Sequence, residues 1–207
     1  MRRAFAQLAW GLGFELIDVK ISEFDLLPDV VGYGLIVAGL SKLGLRNARY
    51  RWARNAAGAL LVLSVLSALG LAQTEYSLTG GIEPSVNVLA LTGMTLAIEL
   101  AMYFGICDGI RLDAAERGKM QLAESAGKRW RLAFAAGVVM QLLLPFQLNY
   151  SVQEMFPVLL LSATALLISG LSVLFLARRA AREVAANPEN GDGDTDGGAG
   201  AFVDLRL

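Results

Sequence analysis

The distribution of basic residues constrains the fold of this chain more than any other feature. Apolar stretches alternate with short polar gaps, and seventeen of the eighteen Lys and Arg residues lie in every second gap, Lys20 being the exception. The intervening gaps carry acidic residues, among them Glu23, Glu75 and Glu154. Because the cytoplasmic loops of membrane proteins are enriched in Lys and Arg, this alternation predicts an all-α transmembrane bundle of six spans with both termini in the cytoplasm.

The composition agrees with a location in lipid. The chain is 55% hydrophobic and only 18% charged, whereas about a quarter of the residues in a soluble protein are charged. Because crossing the hydrocarbon core takes about 20 residues, the pattern predicts one transmembrane domain over residues 1–186, a helical cytoplasmic loop over 108–130 and a disordered, acidic, Gly-rich cytoplasmic tail over 187–207. The predicted spans cover about 4–21, 28–45, 55–74, 85–107, 131–149 and 156–177.

The first two predicted spans depend on the shortest apolar runs. Ala4 to Phe14 and Val30 to Ser41 are only 11 and 12 residues long between charges. The alternative is a re-entrant pair that enters the membrane without crossing it. Four spans would then remain with the same sidedness, so the charge pattern is compatible with either arrangement.

Several kinds of chemistry are excluded or disfavoured by what the chain lacks. It has no His and a single Cys, Cys107, which removes intrachain disulfides, histidine-based zinc or haem sites and serine-histidine catalysis. The tail residues Asp192, Asp194 and Asp196 copy the start of a calcium loop, but its twelfth position is Val203 rather than Glu. We therefore expect no enzyme, no cofactor, no metal site and no nucleic-acid partner.

Four polar residues are predicted to share one layer near the middle of the membrane. At about 1.5 Å per residue from the inner face, Glu15, Glu99 and Gln141 lie about 16, 14 and 15 Å deep, and Ser64 lies at a similar depth. Tyr103 follows Glu99 by four residues, which places both on one helix face. No Lys or Arg is predicted in this layer.

Two functional interpretations of this layer follow. Intramembrane carboxylates usually mark a binding site or a pathway, so these residues predict binding or transport of a small solute or cation. Alternatively, the carboxyls are protonated and only join the helices by hydrogen bonds. The protein would then be a non-catalytic membrane subunit or scaffold that acts on a membrane protein partner through helix packing and its cytoplasmic loop, in addition to contacting the bilayer.

The segment from Glu23 to Leu43 carries a second acidic feature. Asp25 and Asp29 flank Pro28 at the predicted outer end of the second helix, where acidic residues favour a helix N-terminus. Gly32, Gly34 and Gly39 then provide a surface on which another helix can pack closely. Capping and packing explain the segment, and the alternatives are an acidic mouth that attracts cations or, for an enzyme, a divalent-metal site on the two aspartates.

This segment also resembles a known group of sequences. The resemblance is carried by Leu16, Ile17, Asp18, Phe24, Asp25, Leu27, Pro28, Asp29, Gly32, Tyr33, Leu35, Ile36, Gly39 and Leu40. The pattern F-D-x-L-P-D-x-x-G-Y is similar to that of uncharacterised small integral membrane proteins of Gram-positive bacteria. The resemblance covers roughly the first fifth of the chain and implies a multi-pass protein of the bacterial plasma membrane. That group has no assigned function, so the resemblance implies no activity.

Overall fold

The computed structural model describes residues 2–16, 27–71, 85–150 and 152–184, which are helical apart from short turns and contain no strand. The helices are α1 (Arg2–Leu16), α2 (Leu27–Leu43), α3 (Ala48–Ala68), α4 (Val86–Glu116), α5 (Met120–Leu143) and α6 (Val152–Glu183). A short 3-10 helix, Leu144–Leu148, continues α5. Asp25 and the predicted acidic tail lie outside the described residues.

Helix boundaries follow from local chemistry. Asn47 accepts a hydrogen bond from the backbone N–H of Arg49 at 2.9 Å, and thus satisfies one of the unpaired donors at the start of α3. The connection from α4 to α5 turns at Gly118, whose φ of 69° suits glycine. Residues 108–130, predicted as a helical loop, form the end of α4, the turn at Gly118 and the start of α5.

Successive helices are antiparallel neighbours, and α6 packs against α1, so the six helices form a closed ring. The contact of α1 with α2 is especially close. A Cβ on Gly39 would lie 2.9 Å from the Ala4 carbonyl oxygen, and one on Gly32 would lie 3.0 Å from the Glu15 nitrogen. The predicted small-residue surface is thus used at Gly32 and Gly39, whereas a Cβ on Gly34 would meet nothing within 4 Å.

Within the described residues, three helical stretches are long and apolar enough to cross a membrane: Val86–Glu116, Met120–Leu148 and Gln153–Glu183. The sequence predicted six. Within the described residues, helices α1 and α2 cover 15 and 17 residues, fewer than the about 20 residues that the hydrocarbon core takes. Helix α3 carries three Arg residues among its first seven. Among the described residues, length and composition therefore support three crossings rather than the predicted six.

The ring collects the basic segments at one end, which we call the basic end. Alternate helix termini meet there because each helix runs opposite to the next. Lys42 at the end of α2 donates to Gln7 of α1 at 2.8 Å, and Lys119 before α5 donates to the Glu183 carbonyl at the end of α6. The basic segments that alternate along the sequence thus lie together at one end of the folded bundle.

Candidate functional site

Two carboxyl groups and a phenol meet inside the ring. Glu15 lies in the last turn of α1, and Glu99 and Tyr103 lie one turn apart on α4. The Tyr103 hydroxyl is 3.4 Å from each carboxyl oxygen of Glu15 and donates to this carboxyl group, and the Glu99 side chain lies within hydrogen-bonding range of Glu15 and Tyr103. Tyr103 is buried, whereas both glutamates keep some accessible surface. We call these three residues the carboxyl cluster.

Small residues on neighbouring helices allow the cluster to form. A Cβ on Gly170 of α6 would lie 2.6 Å from Leu16 and 3.3 Å from the Tyr103 hydroxyl oxygen. On the other side of α1, Gly32 of α2 approaches the backbone of Glu15. The last turn of α1 is therefore held between α2 and α6, and this places the Glu15 carboxyl against α4.

The electrostatic surroundings of the cluster are acidic. Asp29 of α2 lies within electrostatic range of the Glu15 carboxyl. Tyr33, one turn further along α2, lies within electrostatic range of Tyr103. In the part of the chain that the structure describes, no Lys or Arg forms an ion pair with Glu15 or Glu99. Any charge on the pair must be balanced by a proton or by a cation that is not part of these helices.

The other predicted site residues lie elsewhere. Gln141 packs on Gly93, where a Cβ would lie 2.8 Å from the side-chain nitrogen, and lines a cleft of about 370 Å³ between α4 and the end of α5. Ser64 is partly buried on α3, which packs on α2 and α4. The structure thus brings Glu15, Glu99 and Tyr103 together with Asp29 nearby, and it places Gln141 in a different cleft.

A second polar group near the basic end was not predicted. Asp108 of α4 is 7% exposed and forms ion pairs with Arg49 at 2.9 Å and with Arg111 at 2.6 Å. Five residues further along α4, buried Asp113 accepts a hydrogen bond from Tyr50 at 3.2 Å. Burial raises the pKa of the Tyr50 hydroxyl well above its usual range, so it remains a donor.

A sequence signal for this group existed. Asp108 and Arg111 have the i,i+3 spacing of an intrahelical ion pair, and Gly105 and Gly109 have the spacing that lets two membrane helices approach closely. Both glycines contact α3: a Cβ on Gly105 would lie 2.7 Å from that of Ala53, and one on Gly109 would meet the Tyr50 ring. The spacing thus marked the face of α4 on which α3 packs.

The described residues contain no group of three or more His, Cys, Asp or Glu side chains that could hold a metal ion. The carboxyl cluster offers two carboxyl groups and one phenol as oxygen donors.

No protein-family model, no curated protein and no solved structure matches the chain. Its function is therefore inferred from the geometry of the site.

Proposed function

We propose that this protein is a multi-pass protein of the bacterial plasma membrane that binds a small cation at the carboxyl cluster, with protons competing for the same place. The observation that carries this proposal is the contact between Glu15 and Glu99 inside the helix ring with no Lys or Arg of the described residues paired to either. An acidic pair of this kind requires a positive charge that the described helices do not supply.

The protonation chemistry of the pair supports cation binding. An ionised carboxylate only accepts hydrogen bonds, so a hydrogen bond between Glu15 and Glu99 requires a proton on one of them. Two adjacent carboxylates also repel each other, and each is costly to ionise in the membrane. Replacing the shared proton by a monovalent cation would leave both carboxylates ionised with the cation between them. Proton and cation would therefore exclude each other.

A route to the cluster is supported by its neighbours. Asp29 lies three residues before Gly32, the residue that contacts the Glu15 backbone, and thus about 4.5 Å further toward the end of the bundle opposite the basic end. It acts electrostatically on Glu15. Both glutamates retain some accessible surface, which would let a small ion approach them.

Six crossings with both termini in the cytoplasm are part of this proposal. Helix α1 packs antiparallel between α2 and α6, and α6 is one of the helices apolar enough to cross. Trp10, Phe14 and Val31 of α1 and α2 are exposed on the bundle surface, as lipid-facing side chains would be.

The proposal is tested by infrared spectroscopy of the protein in lipid nanodiscs, which detects the carbonyl stretch of a protonated carboxyl. We expect a protonated-carboxyl band that disappears when Na⁺, K⁺ or Li⁺ is added. Where one proton is displaced per ion, the apparent affinity for the ion should fall about tenfold for each unit that the pH decreases. Glu99→Gln and Glu15→Gln should each abolish the response to the ion.

Glu124→Gln is the matched control, because it also removes one carboxyl, but from an exposed pair with Lys128 on α5. It should leave the ion response unchanged. A protonated-carboxyl band that assigns to Glu15 and Glu99 but ignores all three ions would show that the carboxyls only join helices. The scaffold alternative would then be favoured.

Transport is tested separately. Proteoliposomes with a pH-sensitive dye inside should show proton movement when a gradient of the active ion is applied.

A further inference from the structure

A groove on the outer surface of the bundle combines a basic end with an aromatic and apolar wall. It lies between α3 and α5, which both pack on α4, and has a volume of about 540 Å³. Its lining residues are Arg49, Trp52, Ala97, Leu100, Ala101, Phe104, Trp130 and Phe134. We call it the α3–α5 groove. It shares no residue with the carboxyl cluster.

The polar and apolar parts of the groove are separated along its length. Arg49 contacts Asp108, and Ala97 lies eleven residues earlier on α4, which corresponds to about 16 Å along the helix. Between them, Phe104 and Trp130 have ring centroids 5.1 Å apart, and Trp130 and Phe134 have centroids 5.4 Å apart. The groove thus passes from a charged end through an aromatic zone to an apolar wall, which is the polarity of one leaflet of a bilayer.

The charged end of the α3–α5 groove carries a net positive charge and is exposed at the surface. Arg49 and Arg111 share Asp108, so two guanidinium groups and one carboxylate leave one positive charge. Both arginine side chains are about half exposed, at 50% and 53%. Arg49 uses its Nε for Asp108 and lies over the Phe104 ring at 5.6 Å, and a guanidinium has five N–H donors in all. Its outer nitrogens can therefore bind a phosphate.

We propose that the α3–α5 groove binds an anionic phospholipid from the inner leaflet. The phosphate would lie on Arg49 beside Trp52, and one acyl chain would lie against Ala97, Leu100, Ala101 and Phe134. The positive charge at one end of the groove and the apolar wall at its other end together select an amphiphile with a negative headgroup. The inner leaflet is the one that faces the basic end in the proposed topology. This inference is separate from cation binding at the carboxyl cluster and does not depend on it.

The chain offers a direct probe of this site. Two of its three tryptophans, Trp52 and Trp130, line the groove, and the third, Trp10, lies on α1 against Arg178. Trp10→Phe therefore leaves only groove tryptophans as fluorophores. Lipids with brominated acyl chains quench tryptophan on contact, so quenching in bilayers of mixed composition measures which lipid occupies the groove.

In the Trp10→Phe background, we expect brominated phosphatidylglycerol to displace unbrominated phosphatidylcholine about five times more effectively than brominated phosphatidylcholine does. A preference of about this size is expected from one arginine near an anionic headgroup. Arg49→Gln should reduce this preference to nearly one. Arg54→Gln should preserve it, because this arginine contacts the neighbouring Asn55 rather than the groove while making the same change in net charge.

A second variant tests the apolar wall without changing charge. Ala101→Leu should lower quenching by both brominated lipids, because the added side chain fills the place of the acyl chain. Equal quenching by the two lipids in the Trp10→Phe protein would overturn the proposal, as would a preference that survives Arg49→Gln or is lost equally with Arg54→Gln. Weak quenching by both lipids before any groove substitution would mean that protein rather than lipid covers the groove.

Discussion

Asp113 shows what a buried acidic residue requires in this fold. Its side chain is only 3% exposed, and it accepts a hydrogen bond from the Tyr50 hydroxyl, which comes from α3. The Tyr50 ring also fills the space above Gly109. One tyrosine thus packs two helices together by its ring and satisfies a buried carboxyl by its hydroxyl.

Removing this hydroxyl alone should destabilise the protein. Tyr50→Phe keeps the ring but deprives Asp113 of a donor, and the loss of a hydrogen bond to a buried acceptor costs about 1–3 kcal/mol. We expect a decrease of that size in the free energy of unfolding, measured by denaturant titration in mixed micelles. Tyr150→Phe, at a side chain that is 54% exposed, should change it by less than about 0.5 kcal/mol. Equal effects of the two variants would contradict this account.

At the scale of the helices, counting residues along a span predicts the depth of a side chain in the membrane but not which neighbouring helix the side chain faces. Glu15 and Glu99 were placed at similar depths from the charge pattern, and they do meet across the ring through Tyr103. Gln141 was placed at the same depth, yet it faces Gly93 in another cleft. Depth depends only on the rise per residue, whereas the direction of a side chain depends on which helices are neighbours. The sequence pattern does not specify those neighbours.

The all-helical fold and the collection of basic residues at one end of the bundle could be predicted, because hydrophobicity and charge are local properties of the sequence. The polar group around Asp108 was missed because its ion pair to Arg49 joins residues from different helices. Such contacts form only when Gly105 and Gly109 bring α3 onto α4.

The close contact of α1 and α2 leads to a prediction with an internal control. Gly39→Ala would place a methyl group 2.9 Å from the backbone oxygen of Ala4 and the backbone nitrogen of Leu8, atoms that cannot move without shifting α1. We expect a loss of about 1–3 kcal/mol in the free energy of unfolding, as for overpacked cores. Gly34→Ala meets nothing within 4 Å and should be neutral or stabilising by up to about 1 kcal/mol. The same titration in mixed micelles measures both, and equal destabilisation would contradict the packing.

At the scale of the whole molecule, the ring converts the order of charges in the sequence into one basic end. Each helix runs antiparallel to the next, so every second connection lies at that end, together with the start of α1 and the end of α6. The ion pairs of Asp108 and the α3–α5 groove are at or near it, whereas Asp29 lies toward the opposite end. Orientation in the membrane would therefore determine which compartment each site faces.

That orientation is testable because Cys107 is the only cysteine and is buried. In a Cys107→Ala background, single substitutions at the predicted outer positions, Glu23→Cys, Glu75→Cys and Glu154→Cys, should react with a membrane-impermeant maleimide in intact cells. Arg117→Cys, at the basic end, should react only after the membrane is permeabilised. The result for Glu23→Cys decides between six crossings and four: if it reacts only in permeabilised cells while Glu154→Cys reacts in intact ones, α1 and α2 form a re-entrant pair, and Asp29 cannot serve an entrance from outside.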